Sequence, residues 1–123
     1  MNSPIVSGLV LVGLYLVVYG GSFLAARKRK EATRILKEEK DVLIVDVRTP
    51  AEYKESHANG AINIPVESIR KSEKKLGSKN RPVIVYCASG SRSRVAVSGI
   101  KRLGFSRVYN LGTLHHVNRA LGE

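Results

Sequence analysis

The residues with the clearest chemical potential are a single cysteine and an arginine shortly after it. Cys87-Ala88-Ser89-Gly90-Ser91-Arg92 follows the continuous apolar run Val83-Ile84-Val85-Tyr86 and precedes a segment of helical periodicity. A cysteine at the end of a buried strand lies where an open α/β sheet places its ligands. The small residues after it let the chain curl so that successive N–H groups point at one anion, as at other helix N-termini. A thiol in such a cradle has a depressed pKa, because the amides stabilise the thiolate. Arg92 adds a permanent charge and a bidentate fork for an oxyanion. Taken alone, Cys-x-x-x-x-Arg is equally a core strand ending in an ordinary Gly-Ser turn. A lone cysteine is more often inert packing than a nucleophile.

The surrounding elements are those that would hold such a loop rigid. Val42-Leu43-Ile44-Val45 and Val83-Ile84-Val85-Tyr86 are unbroken apolar runs, the mark of strands buried on both faces. Ala61-Ile62-Asn63-Ile64 is a shorter strand closed by Pro65, and Val108-Tyr109-Asn110-Leu111 a last one. Pro50 to Lys54 predicts a short helix with proline in its first turn. Val66, Ile69 and Leu76 recur at helical spacing, with Gly77 as a stop. A helix from about Ser93 to Leu103 places Ala96, Ile100 and Leu103 inward and Arg94, Ser98 and Lys101 outward. Strands alternating with helices predict an α/β fold whose parallel sheet is covered on both faces.

The N-terminal segment is of another kind. Met1 to Ala26 carries no charged side chain, and Ile5 to Ala26 is apolar or small throughout. At the helical rise those positions span roughly 33 Å, enough to cross a bilayer. The run ends at Arg27-Lys28-Arg29-Lys30. A cleaved signal peptide would carry its positive charge before the apolar region, whereas here the charge follows it. The expectation is a transmembrane helix over 4–26, a basic juxtamembrane helix or linker over 27–41, and a folded domain over 42–123. Loop charge predicts a single pass through the cell membrane with the domain on the cytoplasmic side. Tyr15, Tyr19 and Phe23 lie towards the basic flank, where rings often sit at headgroup level.

The net charge of +11 is spread along the chain: fourteen basic and six acidic residues fall after position 41. A tethered basic domain turned towards anionic headgroups accounts for this. No arginine tract is interleaved with aromatics, so nucleic acid is not an expected partner. One cysteine excludes an internal disulfide and any zinc-finger spacing, and fits a reducing compartment.

Four ordered motifs resemble the rhodanese family over nearly all of Val42 to Leu121. Asp46-Val47-Arg48 with Glu52-Tyr53 is similar to its first signature, and His57 with Gly60-Ala61-Ile62-Asn63-Ile64-Pro65 to its second. Cys87 to Arg92 resembles the active loop, and Val108 to Gly112 the closing strand. The sequence departs from the family at Ser56, Ala58, Thr113 and Val117, the last standing at a tryptophan position.

The resemblance implies a three-layer rhodanese-like domain, preceded here by the anchor, that passes sulfur through a persulfide. Cys87 and Arg92 would be catalytic, with Ala88, Ser89, Gly90, Ser91 and Ser93 forming the anion and substrate loop. Asp46, Arg48, Glu52 and His57 would be structural supports, Arg48 pairing with Glu52 and His57 tying loops together. A small-molecule or protein donor would load Cys87, and an external thiol or cyanide would unload it, with no cofactor. Related phosphatases use Cys-x5-Arg, and the residue at that spacing here is Ser93, so phosphate ester chemistry is not expected. The alternative is a non-catalytic rhodanese-like binding module tethered to the membrane. Adjacent histidines His115 and His116 point about 100° apart on a helix and lack a third ligand, so no metal site is expected.

Overall fold

The apolar runs become the strands of one sheet. The structure, a computed structural model, describes residues 4–123; the side chains at 4–7, 18–19 and 21–22 lie outside that description. Strands β1 (Leu43–Asp46), β2 (Ile62–Asn63), β3 (Val83–Cys87) and β4 (Val108–Thr113) stand in the order β2-β1-β3-β4. Each neighbouring pair is parallel. The two central strands, β1 and β3, are buried at every position, which is why both of their faces are apolar.

Alternation along these strands sorts their side chains into two layers. Leu43, Val45, Val83, Val85 and Cys87 enter one core with Ala96, Ile100 and Phe105. Ile44, Ile84 and Tyr86 enter the other with Leu111, Val117 and Ala120. Helix α4 (Ser91–Arg102) covers the first layer, burying Ala96 and Ile100. It begins earlier than the apolar spacing predicts, because Gly90 takes a left-handed conformation (φ 98°) and turns the strand directly into the helix. Helix α2 (Pro50–Glu55) opens with a reciprocal capping box between Thr49 and Glu52. The helical spacing of Val66 to Leu76 is divided between a 3₁₀ stretch, Val66–Lys71, and the short α3 (Glu73–Leu76). At the break, the Ser72 hydroxyl donates to the Ser68 carbonyl at 2.7 Å.

The second layer is closed by α5 (Leu114–Ala120) and by the C-terminal part of α1 (Pro4–Glu38). Helix α1 is continuous through the basic flank. Its Ala32 and Ile35 are fully buried, while Glu39 just beyond it forms a two-pronged pair with Arg107 at 2.9 and 2.6 Å. Val117 is fully buried under α5, so a branched aliphatic side chain serves as that helix's contact. Among the described residues no helix is long and apolar enough to cross a membrane. The run expected to be an anchor includes side chains outside the description, Tyr19 among them.

Candidate active site

Cys87 is the last residue of β3 and is fully buried on the α4 side of the sheet. The loop after it curls back over the sulfur. The Gly90 N–H donates to Cys87 Sγ at 3.0 Å and the Ser93 N–H at 3.4 Å. The Ser93 hydroxyl lies 3.4 Å from the same sulfur. Burial pushes the Cys87 thiol up, but the Ser93 hydroxyl and the amides of Ser93, Gly90 and Ser89 outweigh it and hold the thiol below its ordinary pKa. The start of α4 adds its dipole in the same sense. This is a buried sulfur prepared to be an anion, at the open end of a parallel sheet.

Ser93 is held in place from behind. Its hydroxyl is 2.8 Å from Asn110 Oδ1 and 3.0 Å from the Gly90 carbonyl, and it has one proton to give to these acceptors. Asn110 Oδ1 also accepts from the Gly112 N–H at 2.8 Å. Asn110 pairs in register with Val85, while Tyr86 pairs with Gly112, leaving Leu111 as an extra residue in β4. Gly112 has φ 87°. This irregularity aims Asn110 at the loop. Asn110 thus belongs to the site, although in sequence it reads only as part of a strand; its polarity within Val108 to Leu111 was the available signal.

Arg92 and Glu52 form a bidentate pair at 2.8 and 3.1 Å, each about one-third exposed. This corrects the expectation that Arg48 pairs with Glu52. Arg48 precedes the cap residue Thr49 and so does not share the helical face of Glu52, which sits at the third helical position and reaches Arg92. The Arg92 hydrogen bonds pull Glu52 down to about 2, with the Thr49 amide assisting. Both terminal nitrogens of Arg92 are directed at this carboxylate.

Arg48 instead clasps Asp46 below the site. Its Nε lies 3.0 and 3.1 Å from the two Asp46 oxygens, and its Nη2 is 2.7 Å from Oδ2. Arg48 Nη2 also donates to the Ser56 carbonyl at 2.6 Å. Asp46, fully buried, accepts in addition from the Arg48 N–H at 2.9 Å and the Tyr86 hydroxyl at 2.7 Å. Tyr86 in turn accepts from the Ala58 N–H at 3.0 Å. Asn63 donates to the carbonyls of Asp46 and Arg48, both at 3.0 Å. His57 is exposed; it stacks on Tyr53 at 3.7 Å, and its Nδ1 is 2.7 Å from the Tyr53 carbonyl. The Tyr53 hydroxyl, donating to Ala61 at 2.6 Å, makes the tie across the loop that the sequence suggested for His57.

Of the remaining loop residues, Ala88, Ser89 and Ser91 are exposed, and the two serine hydroxyls lie 3.1 Å apart. His116 Nδ1 is 3.1 Å from Thr113 Oγ1, and its ring is 6.2 Å from that of His115. Among the described residues no group of His, Cys, Asp and Glu could hold a metal ion.

Residues 28–113 match the family described as rhodanese-like domain. The chain is similar to a tRNA uridine(34) hydroxylase of Buchnera aphidicola, 36% identical over 107 residues, covering 81% of this chain and 33% of that protein. It is also similar to a sulfurtransferase of Allochromatium vinosum, 41% identical over 78 residues, covering 62% of this chain and 70% of that one. Among solved structures it resembles a rhodanese with anions from E. coli, with TM-score 0.59 and 34% identity, covering 62% of this chain and 91% of the other. The chain therefore spans one-third of the first relative's length and most of the second's.

Proposed function

The chain belongs to the rhodanese-like domain family, and on that footing we propose that it is a sulfurtransferase carrying sulfane sulfur as a persulfide on Cys87. The convergence of the Gly90 and Ser93 amides and the Ser93 hydroxyl on one buried sulfur carries this reading. In the first half-reaction the Cys87 thiolate attacks the outer sulfur of thiosulfate or a persulfide donor. A new S–S bond forms as the donor's S–S bond breaks, and sulfite or the donor thiolate leaves with the electron pair. In the second, an external thiolate or cyanide attacks the outer sulfur, and Cys87 departs as the thiolate it began as. The acceptor is external because Cys87 is the only cysteine in the chain. The loop amides stabilise the anionic sulfur before loading and after unloading.

Arg92 is a positioning residue while Glu52 holds it, and it meets an anionic donor by exchanging that carboxylate for the donor's oxygens. Steady-state thiocyanate formation from thiosulfate and cyanide tests the proposal. The parent is expected to turn over and Cys87→Ser to give only the uncatalysed rate. Equal rates from the two would remove the enzyme reading and leave a binding module.

We propose further that α1 tethers the domain to a bilayer, with the basic flank and the domain on the cytoplasmic side. The large side chains from Leu9 to Val17 are between 56% and 74% exposed, on all sides of the helix. A helix apolar all round requires an apolar surrounding that this chain does not itself supply.

A further inference from the structure

The C-terminal third of helix α1 runs antiparallel to β4, and the two ends of that segment meet opposite ends of the strand. Glu39 pairs with Arg107, just before β4 begins. Ten residues back along the helix, Arg29 lines a groove with Leu111 and His116, where β4 ends. Ten helical residues and about five strand residues each cover roughly 15 Å, so the two elements keep pace along the sheet. Beyond Ala26 the helix leaves the domain at the end of the sheet where β3 ends, which is the end that carries Cys87. Thr113 pairs in register with Cys87 and bonds the ring of His116. The reactive loop and the start of the apolar run are therefore on the same side of the molecule.

The groove between α1 and α5 has a volume of about 460 Å³. Arg29, Lys30, Lys37 and Arg119 line it together with His116 and Thr33, and no carboxylate does. Arg29, Lys30, Lys37 and Arg119 are exposed, so their charges are available to a ligand. The site reaction does not use them. They are continuous with the apolar part of α1, since Ala26 belongs to the same lining. A cationic groove opening where an apolar helix begins matches a phosphodiester that is itself fixed at the surface of an apolar phase.

We propose that this groove takes the headgroup of an anionic phospholipid and so seats the Cys87-bearing edge of the sheet against the bilayer. The proposal rests on the reading of α1 as an anchor. It has the consequence that Cys87 meets its sulfur partners at the membrane surface, not from open solution.

The full chain with Cys87→Ser provides the test, because it carries no other thiol. One cysteine is introduced either at Ser89, on the reactive edge, or at Ser78, on the opposite edge, both being exposed positions. Each is given a fluorophore, and the chain is reconstituted into phosphatidylcholine vesicles with and without phosphatidylglycerol, containing a quencher fixed at headgroup level. The Ser89 probe is expected to be quenched several-fold more than the Ser78 probe when phosphatidylglycerol is present. The difference should collapse without that lipid and in Arg29→Gln/Arg119→Gln. Equal quenching at the two edges in a chain firmly held by the vesicles would overturn the docking alone. So would an edge difference indifferent to the anionic lipid or to the arginines. A chain that washes off the vesicles at high salt would overturn the anchor reading, and the docking with it.

Discussion

Tyr86 and Cys87 are neighbours on β3, both fully buried, and they face opposite layers of the same sheet. Burial raises the pKa of each, yet the two groups are shifted in opposite directions. For Tyr86 burial is the largest cause; its hydroxyl donates to Asp46, which favours the neutral phenol, and accepts from the Ala58 N–H, which opposes it, and its pKa lies well above the ordinary range. Cys87 receives hydrogen bonds from the Gly90 and Ser93 amides, which favour the anion, and with the Ser93 hydroxyl beside it its pKa falls. At equal depth, burial prevails where the hydrogen bonds oppose one another and yields where they all stabilise the anion.

The same division separates the two arginine–carboxylate pairs. Asp46–Arg48 has side chains 0% and 9% exposed and serves the Tyr86 layer; Glu52–Arg92, at 34% and 35%, borders the Cys87 loop. One is closed and the other can exchange partners.

The largest effect is expected from breaking the closed pair. Asp46→Asn leaves the Arg48 cation buried without its partner and should cost about 3–5 kcal/mol of stability in chemical denaturation. The molecules that remain folded should still load sulfur. Full stability in this variant would mean that the buried pair is not what fixes the ends of β1 and β3.

Ser93→Ala acts on the reactive side. The depressed Cys87 pKa makes the loading rate rise with pH and level off at a lower pH than an ordinary thiol would. Removing the hydroxyl should move that rise to higher pH and so lower the rate at neutral pH several-fold. The variant should recover as the pH is raised. An unchanged profile would leave the amides as the sole cause of the depressed pKa.

Glu52→Gln should have the smallest effect on stability. Glu52 falls to about 2 in the folded chain, from an ordinary value near 4.3, so its contribution is fully present above about pH 4.3 and is lost as the pH falls towards 2. The stability difference between parent and variant should therefore vanish in acid. At neutral pH the unfolding midpoint should stay close to the parent's, the pair being partly exposed. Freed from the carboxylate, Arg92 should lower the KM for thiosulfate a few-fold with kcat little changed. A raised KM would show that Glu52 orients Arg92 productively.

Much of this arrangement is legible in the sequence because it rests on local signals. Continuous apolar runs mark β1 and β3, and the small residues after Cys87 mark the turn into α4. What escapes is the choice of partners. The resemblance implies that Arg48 pairs with Glu52, but the cap at Thr49 puts them on different elements. Asn110 acquires its role from a one-residue slip between β3 and β4, which no local pattern encodes. The sequence marks Ile35 and Leu36 as the apolar contacts of a short charged helix, but that they and Ala32 pack on this face of the sheet is tertiary.

The central claim is that Cys87 carries the transferred sulfur, and the intact mass of the chain after thiosulfate treatment tests it most directly. The parent should gain one sulfur atom and lose it to cyanide as thiocyanate, while Cys87→Ser gains nothing. No gain on the parent with thiosulfate, polysulfide or a protein persulfide donor would contradict the persulfide cycle.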